Sequence, residues 1–214
     1  MTLGARLKDG LDALGATADE AVCERLLAYL RLLEKWNRVY NLTAVRGPEA
    51  MLTQHVLDSA AVVPHLVGTT VLDVGSGAGL PGIPIALLCP HRRVTLLDSN
   101  HKKTTFLQQV AIELALTNVN VVCERVESWQ PRQRFDVVIS RAFAELSHFV
   151  AAAAHLCAAD GMLYAMKGVY PHEELAHLPA GCLVTDVHTL RVPGAAAERH
   201  LVLMRPNPVA IGST

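Results

Sequence analysis

A chain of 214 residues, 51% apolar and with a formal charge of −1, holds enough material for one large core. Its charge balance carries no basic footprint of the kind nucleic-acid binders leave, and its composition excludes disorder except over the last few residues. No apolar run reaches the roughly 18 residues of a membrane span, and Arg6, Lys8, Asp9 and Asp12 interrupt any signal-peptide core, so a cytoplasmic protein is expected.

Taken in order, Thr17 to Val39 reads as an amphipathic helix. Val22, Leu26, Tyr29, Leu30, Leu33 and Trp36 recur at helical spacing, and Thr17 with Glu20 forms a capping-box signature. Turn formers between Asn37 and Thr43 break the pattern. A second helix is expected from about Pro48 to His65, with Pro48 in its first turn. This pair makes a helical extension over 1–66, ahead of a larger domain over 67–214. His55 and Asp58 lie three apart on the second helix and so share a face. A helix-surface or interdomain hydrogen bond is the commoner fate of such a pair, and a proton carrier oriented by the carboxylate is the rarer one.

Val71 to Val74 is a short apolar run that ends in glycines, as a buried parallel strand does. Gly75, Gly77 and Gly79 let the backbone turn sharply and approach a ligand without a Cβ in the way. A helix follows, with Pro81 or Pro84 near its first turn. Strand, glycine loop and helix form the nucleotide crevice of an open α/β sheet. A dinucleotide fingerprint would need glycine at Leu80, and no G-K-[ST] is present for a phosphate loop. Asp73-x-Gly75-x-Gly77-x-Gly79 instead resembles the motif of class I methyltransferases, which bind S-adenosylmethionine.

Beyond the loop, strand and helix patterns alternate, which argues for a parallel sheet covered on both faces. Arg93 to Leu97 is the second strand. Asp98 follows it, about 20 residues past the glycines, where an acid commonly holds a ribose hydroxyl pair. His101 to Leu116 is a helix with Asp98, Ser99 and Asn100 as cap candidates. Asn118 to Cys123 and Phe135 to Ser140 are the third and fourth strands. Leu146 to Ala159 is an alanine-rich helix, and Met162 to Met166 the fifth strand. A short helix near His172 to His177 precedes two final strands, about Leu183 to Arg191 and His200 to Met204.

Asp73, Asp98, Glu127, Arg141 and Lys167 all fall at or just beyond the carboxyl ends of strands, where open α/β sheets bind ligands. The fourth strand narrows the chemistry. Methyltransferases that act on exocyclic amines carry Asn/Asp-Pro-Pro-Tyr/Phe there, and those that make 5-methylcytosine carry a cysteine nucleophile. Ile139-Ser140-Arg141-Ala142-Phe143-Ala144 is neither, which fits an acceptor that is already nucleophilic, such as guanine N7. Arg or Lys recognises guanine through O6 and N7, and catalysis would then be mostly positioning. The five cysteines are widely spaced and never in C-x-x-C, and the ten histidines form no H-E-x-x-H pair. Reduced thiols and no metal site are expected.

A larger set of residues carries a resemblance. Trp36-Asn37, Asn41-Leu42-Thr43, His55 through Ser59, Leu72 through Pro84, Leu97-Asp98-Ser99, Lys102-Lys103, Phe106-Leu107, Arg125-Val126-Glu127, Val138 through Ala144, Lys167-Gly168 and Glu198-Arg199-His200 span most of the chain in order. Together they resemble the RsmG (GidB) family of bacterial small-subunit ribosomal RNA guanine-N7 methyltransferases. The resemblance implies a Rossmann-like class I methyltransferase fold, with a mostly parallel seven-stranded sheet and an N-terminal helical extension. It implies methyl transfer from S-adenosylmethionine to N7 of a guanine in the decoding region of 16S ribosomal RNA. The substrate expected is RNA, in a 30S subunit or an assembly intermediate, and the enzyme is expected to be a monomer. By position, Gly75, Leu80, Val126, Glu127 and Arg141 carry over as cofactor contacts, to which Gly77 and Gly79 of the loop and Asp98 from the ribose reading are added. Asn41, Arg141 and Lys167 are the acceptor-side candidates. Two alternatives stay open: a methyltransferase acting on a small molecule or protein, and a cofactor-binding ribosome-assembly factor without turnover.

Overall fold

Seven short strands rich in Val, Ile and Leu pair into one sheet, in the order β3-β2-β1-β4-β5-β7-β6. The structure is a computed structural model and describes residues 1–206. The strands are β1 (Thr70–Val74), β2 (Arg93–Leu97), β3 (Val119–Val122), β4 (Phe135–Ser140), β5 (Cys157–Lys167), β6 (Cys182–Leu190) and β7 (Arg199–Pro206). β1 to β5 are parallel, while β7 runs antiparallel between β5 and β6. The mostly parallel seven-stranded sheet read from the sequence is therefore present. Strand order reverses between β1 and its neighbours β2 and β4, and a crevice opens at that switch point. The expectation of disorder over the last few residues falls outside the described part of the chain.

The helices are α1 (Leu3–Ala13), α2 (Glu20–Tyr40), α3 (48–60), α4 (Gly82–Leu88), α5 (His101–Glu113), α6 (Leu146–Ala153) and α7 (His172–Ala176). Several differ from the sequence reading. Helix α1 was not anticipated; Leu7, Gly10 and Leu11 share its buried face, and Gly10 lets it press closely on Leu57. Asp19, not Thr17, caps α2, its Oδ1 accepting from the Val22 N–H at 2.8 Å. Helix α3 is not uniform. An α turn at Pro48–Met51 passes into a π-helical stretch at Leu52–Leu57 and closes at Asp58–Ala60, with a 3₁₀ turn at Val63–His65 beyond. Helix α6 also stops sooner than its alanine run suggests. A 3₁₀ turn at Ala154–Leu156 follows it, and Cys157 already pairs with Phe135 in the sheet.

Two apolar layers clamp the sheet. On one face α6 brings Leu146, Phe149 and Val150 onto Leu72, Val138 and Leu163. On the other, Leu26, Leu30 and Leu33 of α2 join Leu7, Leu52 and Val56 with Val71 of β1, Ile83 of α4 and Phe106 of α5. Residues from both sides of position 66 thus share one continuous core. Helix α2 also reaches the glycine loop: fully buried Tyr29 donates its hydroxyl to the Ala78 carbonyl at 2.7 Å. Arg25 of the same helix donates to the Leu114 carbonyl at 2.6 Å, just past α5.

Replacing Tyr29 with Phe keeps the ring and strands a buried carbonyl. Tyr29→Phe is expected to cost about 1–3 kcal/mol in urea unfolding, the usual penalty of an unsatisfied buried polar group. It should also speed amide hydrogen exchange in the glycine loop, since the loop loses its tether. Wild-type stability together with wild-type exchange would show that the tether contributes nothing.

Candidate functional site

The loop that closes β1 is built around a sealed carboxylate. Asp73 is completely buried, and its Oδ2 accepts the Gly82 N–H at 2.9 Å. A Cβ at position 82 would stand 2.2 Å from Leu96 Cδ2 and 2.8 Å from Asp73 Oδ2, so only glycine allows that approach. Burial pushes the Asp73 carboxyl up to about 7, against the opposing pull of the Gly82 and Ser76 hydrogen bonds. Ser76 ties the turn by donating to the Asp73 carbonyl at 2.8 Å. At Gly75, where φ is +69°, a Cβ would meet Ala142 at 2.8 Å. The loop floor thus lies directly against the end of β4.

Next to that floor is a cavity of about 280 Å³, lined by Gly75, Leu97, Asp98, Ser99, Lys103, Glu124 through Glu127, Ala142 and Phe143. Its acids come from different strand ends. Asp98 follows β2, where Oδ2 accepts from the Gly77 N–H at 2.9 Å and Oδ1 from the Asn100 N–H at 2.8 Å. Lys103 Nζ stands 3.7 Å from Asp98 Oδ2. A carboxylate has roughly four acceptor sites, so Asp98 keeps capacity for ligand hydroxyls. Glu124 and Glu127, both beyond β3, supply two further acids, and Val126 and Phe143 supply apolar walls suited to a flat ring. Glycine backbone, carboxylates and apolar walls together match the chemistry of an adenosine-containing ligand. Of the expected cofactor residues, Gly75, Asp98, Val126 and Glu127 line this cavity. Gly77, Gly79 and Leu80 shape the loop instead: Gly79 and Leu80 both donate to the Ser76 carbonyl, and Leu80 is buried in the core.

A second cavity, of about 410 Å³, lies on the other side of the β4 end, lined by Val45, Gln54, His55, Asp58, Arg141, Met166, Lys167, Gly168 and Arg199. Arg141 faces this one. Its Nη1 donates to Asp58 Oδ2 and to the Gln54 carbonyl, each at 3.1 Å. Arg199 Nε approaches Asp58 Oδ1 at 3.2 Å, within ion-pair range but away from hydrogen-bonding alignment. One buried carboxylate therefore aims two guanidinium groups. Ser140 sets the turn that delivers Arg141: its hydroxyl donates to the Val74 carbonyl at 2.7 Å and accepts the Ala142 N–H at 3.1 Å. Lys167 is held by Glu174 at 2.8 Å and by the Ala144 carbonyl at 2.6 Å. Glu174 in turn accepts the Leu146 N–H that opens α6.

His55 and Asp58 do not pair with each other, since the π-helical stretch changes the angle between successive side chains. Each makes a contact away from its own helix, the commoner of the two fates read from the sequence. His55 Nδ1 is 3.0 Å from the Gln54 carbonyl and must donate to it, which leaves Nε2 to accept from the Thr43 hydroxyl at 2.9 Å. Thr43 is fixed in turn by its N–H on buried Asn37 Oδ1. Burial and the Arg141 charge depress the His55 imidazole to about 4. Asn41 lies apart from this network. It ends α2 in the left-handed region, at φ 48°, and lines a separate cavity with Asn37, Arg38 and Arg46. The sequence places Tyr29 in a helix stripe, Ser140 in the fourth strand and Asp58 beside His55, but it does not reveal what each holds, because each acts through a neighbour brought in by the fold.

A mostly parallel sheet in this strand order, with acids at the rim of the switch-point crevice, defines a class I S-adenosylmethionine-dependent methyltransferase. Solved structures of that class align with the chain, among them magnesium protoporphyrin IX methyltransferase from Synechocystis, at TM-score 0.59 and 19% identity over 83% of this chain and 97% of that one. The family model described as rRNA small subunit methyltransferase G, GidB, matches residues 22–202, and the chain belongs to that family. Relatives named ribosomal RNA small subunit methyltransferase G include one from Nitrosospira multiformis, 55% identical over 96% of this chain and 98% of its own length. Another, from Chromobacterium violaceum, is 58% identical over 94% and 96% respectively.

The His55 network has a pH signature. Its folded pKa lies below the 6.5 of a free imidazole, so its contribution to stability is full above pH 6.5 and is lost as pH falls toward 4. Integrated, the loss is about 3 kcal/mol. Asp73, raised on folding, acts in the opposite sense and loses stability as pH rises from 3.8 toward 7. The difference between wild type and His55→Asn therefore isolates the histidine. It should shrink steadily between pH 6.5 and 4 in urea unfolding, and a pH-independent difference would rule out a neutral buried imidazole.

Proposed function

We propose that the protein methylates N7 of a guanine in the decoding region of 16S ribosomal RNA, with S-adenosylmethionine as donor. Bound in the cavity beside the glycine loop, S-adenosylmethionine supplies an electrophilic methyl group on a sulfonium. Gly75, Asp98, Val126 and Glu127 would hold its nucleoside portion. Arg141, at the end of β4, stands between that cavity and the second one, and so between donor and acceptor.

The observation that carries the reading is the state of the groups around the second cavity. Asp58 is committed to two arginines, His55 spends its only free lone pair on Thr43, and Lys167 is bonded to Glu174 and Ala144. These residues offer cationic donors and no idle base. An acceptor that had to lose a proton before alkylation would be poorly served there. Guanine N7 has a free lone pair, and a guanidinium on O6 orients the ring while leaving N7 open. The residues then act by alignment, which supplies much of the rate for a bimolecular transfer. Asn41, on the same loop as Val45 of the second cavity, and Lys167 are assigned with Arg141 to the acceptor side. Residues 67–214 form the transferase proper, with 1–66 as its helical extension, working in the cytoplasm as a monomer on a 30S subunit or an assembly intermediate.

Tritiated donor offered with 30S subunits, 16S RNA and a small-molecule panel tests the assignment. Label should enter the ribosomal substrate alone, and borohydride–aniline cleavage should map it to a 7-methylguanine. Label only in the panel would overturn the reading, and label nowhere would leave a binding protein. Arg141→Ala should lower turnover by about 100-fold, the scale of a lost positioning contact. S-adenosylhomocysteine affinity in that variant should stay within about threefold, since Arg141 faces the acceptor cavity. Turnover near the wild-type rate would remove Arg141 from the mechanism.

A further inference from the structure

A parallel sheet normally has helices on both faces. Here the connection from β3 to β4, residues 123–134, contains no helix, so part of one face stays open at the end away from the crevice. Alternation identifies the side chains on that face. Leu97 and Val122 pack under α6, so Thr95 and Arg93 on β2 and Asn120 on β3 point the same way, two and four residues back. The open end is polar where the covered end is apolar. A cavity of about 570 Å³ lies over it, lined by Arg93, Thr95, Asn120, Trp129, Arg132 and Arg134 among others, with no acidic side chain.

The charge there is uncompensated. Arg93, Arg132 and Arg134 are exposed and form no ion pair among the described residues. Elsewhere Arg6 pairs with Glu49, Lys8 with Asp12 and Arg38 with Glu34, while Arg31, Lys35, Lys102, Arg125 and Arg205, also exposed and without an ion pair among the described residues, do not line this groove. Asp136, the acid on β4, stays ionised, its carboxyl held below the usual carboxylate range by the Thr69 and Thr70 N–H groups, but it is not part of the groove lining. A chain of net charge −1 thus concentrates three free arginines on one groove. Amide and hydroxyl groups on the floor, and a half-buried indole at the wall, add donors and a stacking edge.

We propose that this groove is a second RNA-binding surface, which grips a phosphodiester backbone at the end of the sheet opposite the crevice. It rests on the reading of the substrate as ribosomal RNA, and it specifies what kind. From Arg93 to Leu97 the strand rises roughly 13 Å. A substrate that touches both groove and crevice must therefore span the sheet, as folded RNA does and a free nucleoside does not. The groove adds affinity and register, and takes no part in the chemistry.

The test compares wild type with Arg132→Ala/Arg134→Ala and with the triple variant that adds Arg93→Ala. Binding to 16S RNA and to 30S subunits is measured without methyl donor, across a potassium chloride series. Each lost phosphate contact removes about 0.7–0.9 from the slope of log affinity against log salt, so the triple variant should lose about 2–3 units. Its affinity should fall at least about tenfold, with turnover at saturating substrate and S-adenosylhomocysteine affinity unchanged. Unchanged affinity and slope would overturn the proposal. So would a loss confined to 30S subunits with an unchanged slope, which would point to a protein contact. Salt-dependent RNA binding without any methyl transfer by wild type would instead sink the proposed function and leave the groove standing.

Discussion

Asp73 reaches from the end of β1 to the backbone of Gly82, and the site follows from that contact. The carboxyl is sealed from water, its other oxygen has no side-chain or backbone partner, and burial raises it to about 7. Holding it there costs free energy, which the fold repays by closing the glycine loop over the strand end. With the loop closed, Gly75 presses on Ala142, Gly77 donates to Asp98, and Ala78 receives Tyr29. The rims of β1, β2 and β4 and the α2 helix are thereby fixed relative to one another before any ligand arrives. Preorganisation of this kind is what alignment catalysis requires.

A second buried carboxylate does for the second cavity what Asp73 does for the glycine loop. Asp58 comes from α3, Arg141 from β4 and Arg199 from β7, so three distant segments meet on one group. The neighbouring Asn37–Thr43–His55 chain holds the 41–47 loop against α3. The N-terminal helices therefore do more than decorate the sheet. They supply one wall of the second cavity through Gln54, His55 and Asp58, and their apolar faces continue the sheet's own core.

How much of this the sequence displayed depended on the range of the interaction. Strand and helix periodicity, the glycine spacing and the acid after β2 are local patterns, and the sheet and the glycine loop at its rim could be read from them. Boundaries failed where tertiary contacts overrode local propensity. The alanines after Ala153 favour helix, yet the pairing of Cys157 with Phe135 draws that segment into the sheet. The π stretch in α3 carries no compositional mark, and it separates His55 from Asp58.

By itself the sequence determined the chemistry available: an open α/β sheet, a glycine turn without phosphate-loop residues, acids at the strand ends and a fourth strand without nucleophile or amine-specific motif. Only the tertiary structure decided which partner each charge would have. Arg141 turns toward Asp58 and Lys167 toward Glu174, while Arg93, Arg132 and Arg134 are left free on an uncovered face. The reason is that an ion pair or an open groove joins residues tens of positions apart. Their meeting is fixed by strand order and core packing, and no local pattern encodes it.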